Sequence, residues 1–171
     1  MLIRRASVAD ADTLSAISRD TFVETFGHLY TPEDLGWHLD FSYAPDTYRD
    51  ALDEAGCAAW LLEDADGHAQ GYAFVGPAGL PHDQVQPGDM ELKRLYLRKA
   101  GQNGGWGTRL YLEAERWMLA NGPAALWVGV WSENLGAQRF YQRHGFSKVG
   151  EYLYPVGETR DLEFILHRDI G

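Results

Sequence analysis

Between an apolar run at Met90–Leu97 and an amphipathic run at Thr108–Leu119 stands Gln102-Asn103-Gly104-Gly105-Trp106-Gly107. The first run reads as a strand, with an alternation of apolar residues that is imperfect and suits a bulge. In the second, Leu110, Ala114, Trp117 and Met118 fall roughly on one side of a helix. A chain that passes from strand to helix through glycines leaves the N–H groups of the helix start unpaired and partly positive. Glycine also permits positive φ and lets backbone approach a ligand closely. The combination makes an anion site of a size suited to a diphosphate. Many strand–glycine–helix turns bind nothing, so other segments must decide. Two familiar phosphate loops are excluded. No Gly-Lys-Ser/Thr ending follows, and the dinucleotide fingerprint would need glycine where Leu110 stands.

The remaining pattern limits the architecture. Leu2–Arg5 reads as a first strand and Val8–Phe26 as a helix ended by Gly27. Thr31-Pro32-Glu33-Asp34 is a helix start with a capping hydroxyl, proline in the first turn and acids at the positive dipole end. That helix is expected to run to about Leu39, and Pro45-Asp46 to open a third that ends before Gly56. Ala58–Glu63 and Gly71–Val75 read as strands joined through Asp66-Gly67. Leu80–Gly88 is expected to be a loop. Ala125–Val130 reads as a strand, Leu135–Arg143 as a helix, and Phe146–Tyr152 and Asp161–Leu166 as closing strands joined through Pro155 and Gly157. The order β-α-α-α-β-β-β-α-β-α-β-β predicts a mixed α/β (α+β) domain spanning 1–171, with a central sheet and no regular parallel alternation.

Bulk properties narrow the function. A net charge of −10 repels phosphate backbones, which argues against nucleic acid and favours a cationic partner. Cys57 stands alone and can close no internal disulfide, so a reducing, cytoplasmic setting is expected. Met1-Leu2-Ile3-Arg4-Arg5 leads to Asp10 and Asp12 rather than to a long apolar segment, and no window holds about 18 apolar residues in a row. Neither a signal peptide nor a membrane span is expected. His28, His38, His68, His82, His144 and His167 show no close ligand spacing, and no metal is expected. No Gly-x-Ser-x-Gly elbow occurs.

A second constellation follows the fifth strand. Asn134 stands at the expected cap of a helix, Tyr141 lies about two turns on, and Gly145-Phe146 turns back into a strand. Gln102-x-x-Gly105-x-Gly107 together with Asn134-x-x-Ala137-x-x-x-Tyr141-x-x-x-Gly145-Phe146 resembles the two conserved segments of the GNAT superfamily of N-acetyltransferases, in the same order and on the same elements. Thr21–Phe26, Glu91–Leu97 and Leu126–Trp131 are similar to bacterial spermidine/spermine N-acetyltransferases of that superfamily.

The resemblance implies a mostly antiparallel sheet flanked by helices, with a splayed strand pair holding the arm of acetyl-CoA. The backbone of Leu95, Tyr96 and Leu97 would pair with the pantetheine, beside a bulge near Leu95. Gln102, Asn103, Gly104, Gly105, Trp106, Gly107 and Thr108 would hold the diphosphate, and Asn134 and Ala137 would complete the site. Tyr141 would protonate the departing thiolate. Glu91 would take the proton of the amine, directly or through water. Proteins that acetylate polypeptide N-termini often carry Glu five residues before the Asn, and here that position is Gly129. The first helices are expected to wall the acceptor, with Glu24, Glu33 and Tyr30 as candidate contacts for a small cationic amine such as a polyamine. Another amine (a lysine side chain, an amino acid, an aminoglycoside) or a CoA-binding sensor without turnover are the alternatives. A homodimer is compatible with the resemblance.

Overall fold

A computed structural model describes every residue from Met1 to Gly171. Its seven strands are β1 (Leu2–Arg5), β2 (Ala58–Glu63), β3 (Ala69–Pro77), β4 (Met90–Leu97), β5 (Ala125–Trp131), β6 (Ser147–Val156) and β7 (Thr159–Asp169). They form one sheet in the order β1-β2-β3-β4-β5-β7-β6. Every neighbouring pair is antiparallel except β4 and β5. Those two run parallel because a helix connects them, as a parallel crossover requires.

Five helices cover the sheet: α1 (Ala11–Phe26), α2 (Pro32–Ser42), α3 (Pro45–Asp53), α4 (Trp106–Ala120) and α5 (Leu135–Arg143). On one face α4 and α5 bury Leu110, Ala114, Met118 and Tyr141 against Ala73, Val75, Leu126 and Val128. On the other, α1 and α3 bury Leu14, Ile17 and Tyr48 against Leu61 and Phe74. Complete burial of a Leu or Met such as Leu110 or Met118 stabilises the fold by roughly 1.5–3 kcal/mol relative to exposure.

The expected elements are all present, with shifted bounds. The first helix opens as a tight turn at Val8–Asp10 before α1 proper, where Asp10 and Ser7 form a capping box. Thr31 caps α2 by accepting from Asp34 N at 3.2 Å. The start of α4 takes Trp106 and Gly107 out of the expected loop, and Gly105 caps it at φ +77°. The final hairpin is longer than the sequence suggested. Pro155 lies inside β6, where it is tolerated because β6 is an edge strand.

The turn of that hairpin is anchored on α2. The Asp34 carboxylate accepts from Glu158 N at 2.9 Å and from the Thr159 hydroxyl at 2.7 Å. Gly157 turns at φ +60°, and a Cβ there would come within 2.7 Å of Asp34 Cα. Glycine is required at this contact for both reasons. The anchor holds the β6–β7 turn against the first turn of α2. Cys57 is free and buried, and burial raises its thiol pKa.

Candidate active site

The parallel ladder between β4 and β5 is short. Met90 faces Leu126 and Glu91 faces Trp127, and the strands part beyond these two pairs. A bulge lies at the point of parting. Phe74 faces Arg94 while Val75 faces Leu92, so Lys93 is the extra residue. The bulge stands two positions before Leu95, where it was expected. An extra residue bends its strand and changes which side chains share a face. Glu91, Arg94 and Tyr96 consequently turn to the α1 side, and Leu92, Leu95 and Leu97 pack with the α4 core.

A cavity of about 790 Å³ occupies the opening and reaches both faces of the sheet. On the α4–α5 side it is lined by Leu95, Leu97, Gln102, Asn103, Gly107, Asn134, Ala137 and Tyr141. Gly104, Gly105, Trp106 and Thr108 do not line it, but they shape the turn above it. The N–H groups from Asn103 to Thr108 have no acceptor within the chain. Gln102 differs: its N–H donates to Lys99 O at 3.3 Å and its side chain to Leu97 O at 3.1 Å. It therefore braces the loop and is not one of the free donors. Asn103 takes φ +67° and Gly105 φ +77°, which turns successive N–H groups the same way.

Asn134 caps α5 through Oδ1, which accepts from Ala137 N at 3.1 Å, so its amide N–H₂ is left for a ligand. Tyr141 is only 7 % exposed, but its ring borders the cavity and its hydroxyl has no hydrogen-bond partner in the chain. Burial raises its pKa, so the phenol is held in its neutral, proton-bearing form. Arg143 at the end of α5 also lines this half. It was not singled out in the sequence, where a basic residue at a helix C-terminus reads as dipole compensation.

The α1 side of the cavity is different in kind. Its carboxylates are Glu91, Asp161 and Glu163, among Tyr30, Phe22, Phe26 and Tyr152. Glu91 Oε1 accepts from Gly79 N at 2.9 Å and lies 3.6 Å from Lys93 Nζ. Tyr30 donates its hydroxyl to Asp161. Glu163 has one hydrogen bond, from the Tyr152 hydroxyl at 3.3 Å. Burial is the main reason its pKa is pushed up to about 7; the Tyr152 bond opposes the shift, and Asp161 and Glu91 add to it.

The predicted acceptor contacts divide. Tyr30 lines the cavity, whereas Glu24 and Glu33 do not. Glu24 accepts from Lys99 N at 3.0 Å and so ties α1 to the end of β4, and Glu33 is exposed on the first turn of α2. Away from the cavity, Asp64, Asp66 and His68 bring their ligand atoms within 4.8 Å of one another at the β2–β3 turn. The Asp64 oxygens there accept from Asp66 N, His68 N and Gln70 Nε2, which accounts for the cluster as a turn. No helix is long and apolar enough to cross a membrane.

This geometry can be set beside known proteins. The model of the acetyltransferase (GNAT) family matches residues 13–146. The chain belongs to the GNAT family. It is 31 % identical over 166 residues to an uncharacterized N-acetyltransferase from the pepI 3′ region of Lactobacillus delbrueckii subsp. lactis, covering 97 % of this chain and 95 % of that one. It is 25 % identical over 163 residues to an uncharacterized N-acetyltransferase of Mycobacterium tuberculosis, covering 95 % and 99 %. Among solved structures, the PaiA N-acetyltransferase of Thermoplasma acidophilum, in complex with coenzyme A, superposes with a TM-score of 0.76 over 98 % of each chain at 22 % identity. The fold is thus the GNAT fold and the chain is an N-acetyltransferase. The slot, the unpaired N–H groups and Tyr141 fit acetyl-CoA as its donor.

Proposed function

We propose that this N-acetyltransferase moves the acetyl group of acetyl-CoA directly to the primary amine of a small cationic molecule, with a polyamine as the acceptor class. The observation that carries the acceptor half is the pairing of Glu91, Asp161 and Glu163 with an aromatic wall on the α1 side of one cavity. Carboxylates attract an ammonium group, and tyrosine and phenylalanine faces hold its alkyl chain and charge.

The reaction needs a neutral amine, a stabilised oxyanion and a protonated leaving group. The amine nitrogen attacks the thioester carbon, a C–N bond forms, and the C–S bond breaks as the tetrahedral species collapses. Backbone N–H groups on the open edge of β4, near Leu95–Leu97, are suited to the oxyanion. Tyr141 gives its proton to the thiolate and regains one from the acylated nitrogen through water. Burial keeps the phenol neutral, so the proton is in place when the C–S bond breaks.

One observation favours a second acceptor class. Arg94 lines the same cavity with no carboxylate partner, held by Tyr48 and Ser42 O and stacked 4.6 Å over Tyr43. An amino acid would offer it a carboxylate.

The test is thiol release from acetyl-CoA against spermidine, spermine, lysine, other amino acids, a peptide and an aminoglycoside. Turnover is expected with the polyamines, and Tyr141→Phe is expected to lower kcat by about 10²–10⁴-fold with little change in either KM. Preference for an amino acid, lost in Arg94→Gln, would transfer the assignment to the second class.

A further inference from the structure

The acetyl-transfer reading leaves open which group takes the proton of the amine. We propose that Glu163, on β7, is that group, and that Gly129 is the position that lets it reach the reacting centre.

The placement comes from the sheet. β5 pairs with β7 so that Gly129 faces Ile165 and Trp131 faces Glu163. Gly129 is two residues beyond Trp127, the last β5 residue paired with β4, and so stands at the start of the open slot. The Glu163 carboxylate leans over it. A Cβ at position 129 would lie 3.2 Å from Glu163 Oε2, 3.3 Å from Leu80 Cδ2 and 3.4 Å from the Tyr152 hydroxyl. The first two are tighter than ordinary contact, so a side chain at 129 would make the carboxylate give way by a few tenths of an ångström. The glycine that removes one candidate base from β5 makes room for another from the neighbouring strand.

The other two carboxylates of the cavity are engaged. Glu91 is held by Gly79 N and by the Lys93 ammonium, and Asp161 is held by Tyr30. Glu163 has no ion pair, and its single bond from Tyr152, at 3.3 Å, is a long one for O–H···O. The groups that act on it most strongly are acidic or neutral: Glu91 from β4, which itself pairs with Lys93; Asp161 on its own strand; Tyr152 from β6. Tyr30, Tyr43, Tyr96 and Tyr154 lie around it, and the Arg94 guanidinium from β4 lines the same cavity. Glu163, Tyr141 and Tyr96 line the same cavity, so the base and the acid open on one space. A carboxyl group with a pKa near 7 is matched to proton transfer at neutral pH.

The proton balance is simple. The ammonium gives one proton to the Glu163 carboxylate, directly or through one water, and the neutral amine attacks. Glu163 releases the proton to solvent after the product leaves, while the proton on sulfur comes from Tyr141.

The test compares pH profiles of kcat/KM for the wild type, Glu163→Gln, Glu163→Asp, Glu91→Gln and Asp161→Asn, using the amine that gives turnover. The ionisation of the amine itself gives a limb at higher pH that all five share. We expect Glu163→Gln to lower kcat by about 10²–10³-fold, leave KM for acetyl-CoA unchanged and remove the acid limb near pH 7. Glu163→Asp should retain that limb, as should Glu91→Gln and Asp161→Asn. An acid limb that survives in Glu163→Gln, with only the amine KM raised, would show a binding carboxylate and overturn the proposal. Loss of the limb in Glu91→Gln would do the same. A carbon-13 titration of the glutamate carboxyls, assigned with Glu163→Gln, needs no acceptor. A Glu163 signal that titrates near 7 supports the proposal, and one that titrates near the ordinary 4.5 sinks it. Wild-type protein that binds acetyl-CoA but acetylates no amine would strike the acetyl-transfer reading itself, and this proposal would fall with it.

Discussion

The half of the cavity that faces α4 and α5 is built chiefly of backbone, and the half that faces α1 is built of side chains. On the first side, the unpaired N–H groups of Asn103–Thr108, the open edge of β4 and a capping amide offer donors whose directions follow from φ, ψ and helix geometry. On the second side, Glu91, Tyr30, Tyr152, Asp161 and Glu163 converge from four separate segments. Backbone recognition serves a donor molecule that is constant. Side chains can be exchanged singly without moving the sheet, so the acceptor can change while the donor site stays. The prediction is that damage to one half leaves the constants of the other intact.

Among effects on binding and stability, the largest is expected on the donor side. Gly107→Glu places a carboxylate in the first turn of α4, where it suits the helix dipole and should leave the melting temperature unchanged or slightly higher. The same charge opposes the diphosphate. Calorimetric titration should show acetyl-CoA bound about 10–100-fold more weakly, some 1.4–2.7 kcal/mol. The amine KM should not move. A matching rise in the amine KM would mean that the two halves are coupled.

The same division explains what the sequence could reveal. The loop from Gln102 to Gly107, the Asn134 cap and Tyr141 are local patterns, each contained within a strand–loop–helix or one helix turn. They were legible because the backbone geometry that binds the donor is the geometry that the glycines and the cap specify. The bulge at Lys93 was legible only as imperfect alternation, and was expected two residues late. Of the acceptor carboxylates Glu91 was singled out, but Asp161 and Glu163 were not legible. Asp161-Leu162-Glu163-Phe164 alternates charged and apolar residues, which ordinarily describes a strand with one solvated face. Here that face is covered, because Asp34 anchors the hairpin turn and Tyr30 reaches Asp161 across 131 positions of sequence. No short window contains both partners. Glu24 and Glu33 were attractive for the opposite reason: they cluster in sequence, but the helices carry them to other places.

A smaller effect tests whether the acceptor carboxylate is strained in the free protein. Glu163 has a pKa of about 7 in the fold against 4.5 when solvated. The folded state therefore holds its proton more tightly. The stability this contributes is fully present below pH 4.5 and is lost as pH rises through about 7. Glutamine stays neutral throughout. Glu163→Gln should thus be more stable than the wild type at pH 8, by about 1–2 kcal/mol after allowance for partial solvent screening, and equal to it near pH 4.5. His38 works in the opposite direction. Burial lowers its pKa to about 4, so its contribution is lost as pH falls, equally in both proteins. Thermal melts at the two pH values measure the difference. Equal melting temperatures at pH 8 would mean that Glu163 is well solvated, and the two halves would then differ less than their geometry suggests.

The smallest effect is the most discriminating for the acceptor side. Glu33 is exposed and Glu24 is tied to Lys99 N, and neither borders the cavity. Glu33→Gln should change stability by less than about 0.5 kcal/mol, as expected for a surface position. It should leave the amine KM within about twofold, because an exposed charge outside the cavity is screened by solvent and salt. Asp161→Asn, which removes a charge bordering the cavity and weakens the anchor of Tyr30, should raise that KM several-fold at low salt. If the order were reversed, with Glu33→Gln the more damaging, the amine would be held at the mouth by α2 rather than within the sheet. The acceptor would then be a longer molecule whose second cation lies outside the cavity. Repeating the pair of measurements with spermine and with a short diamine separates the cases, because only the longer amine can feel Glu33 from a nitrogen seated between Glu91 and Glu163.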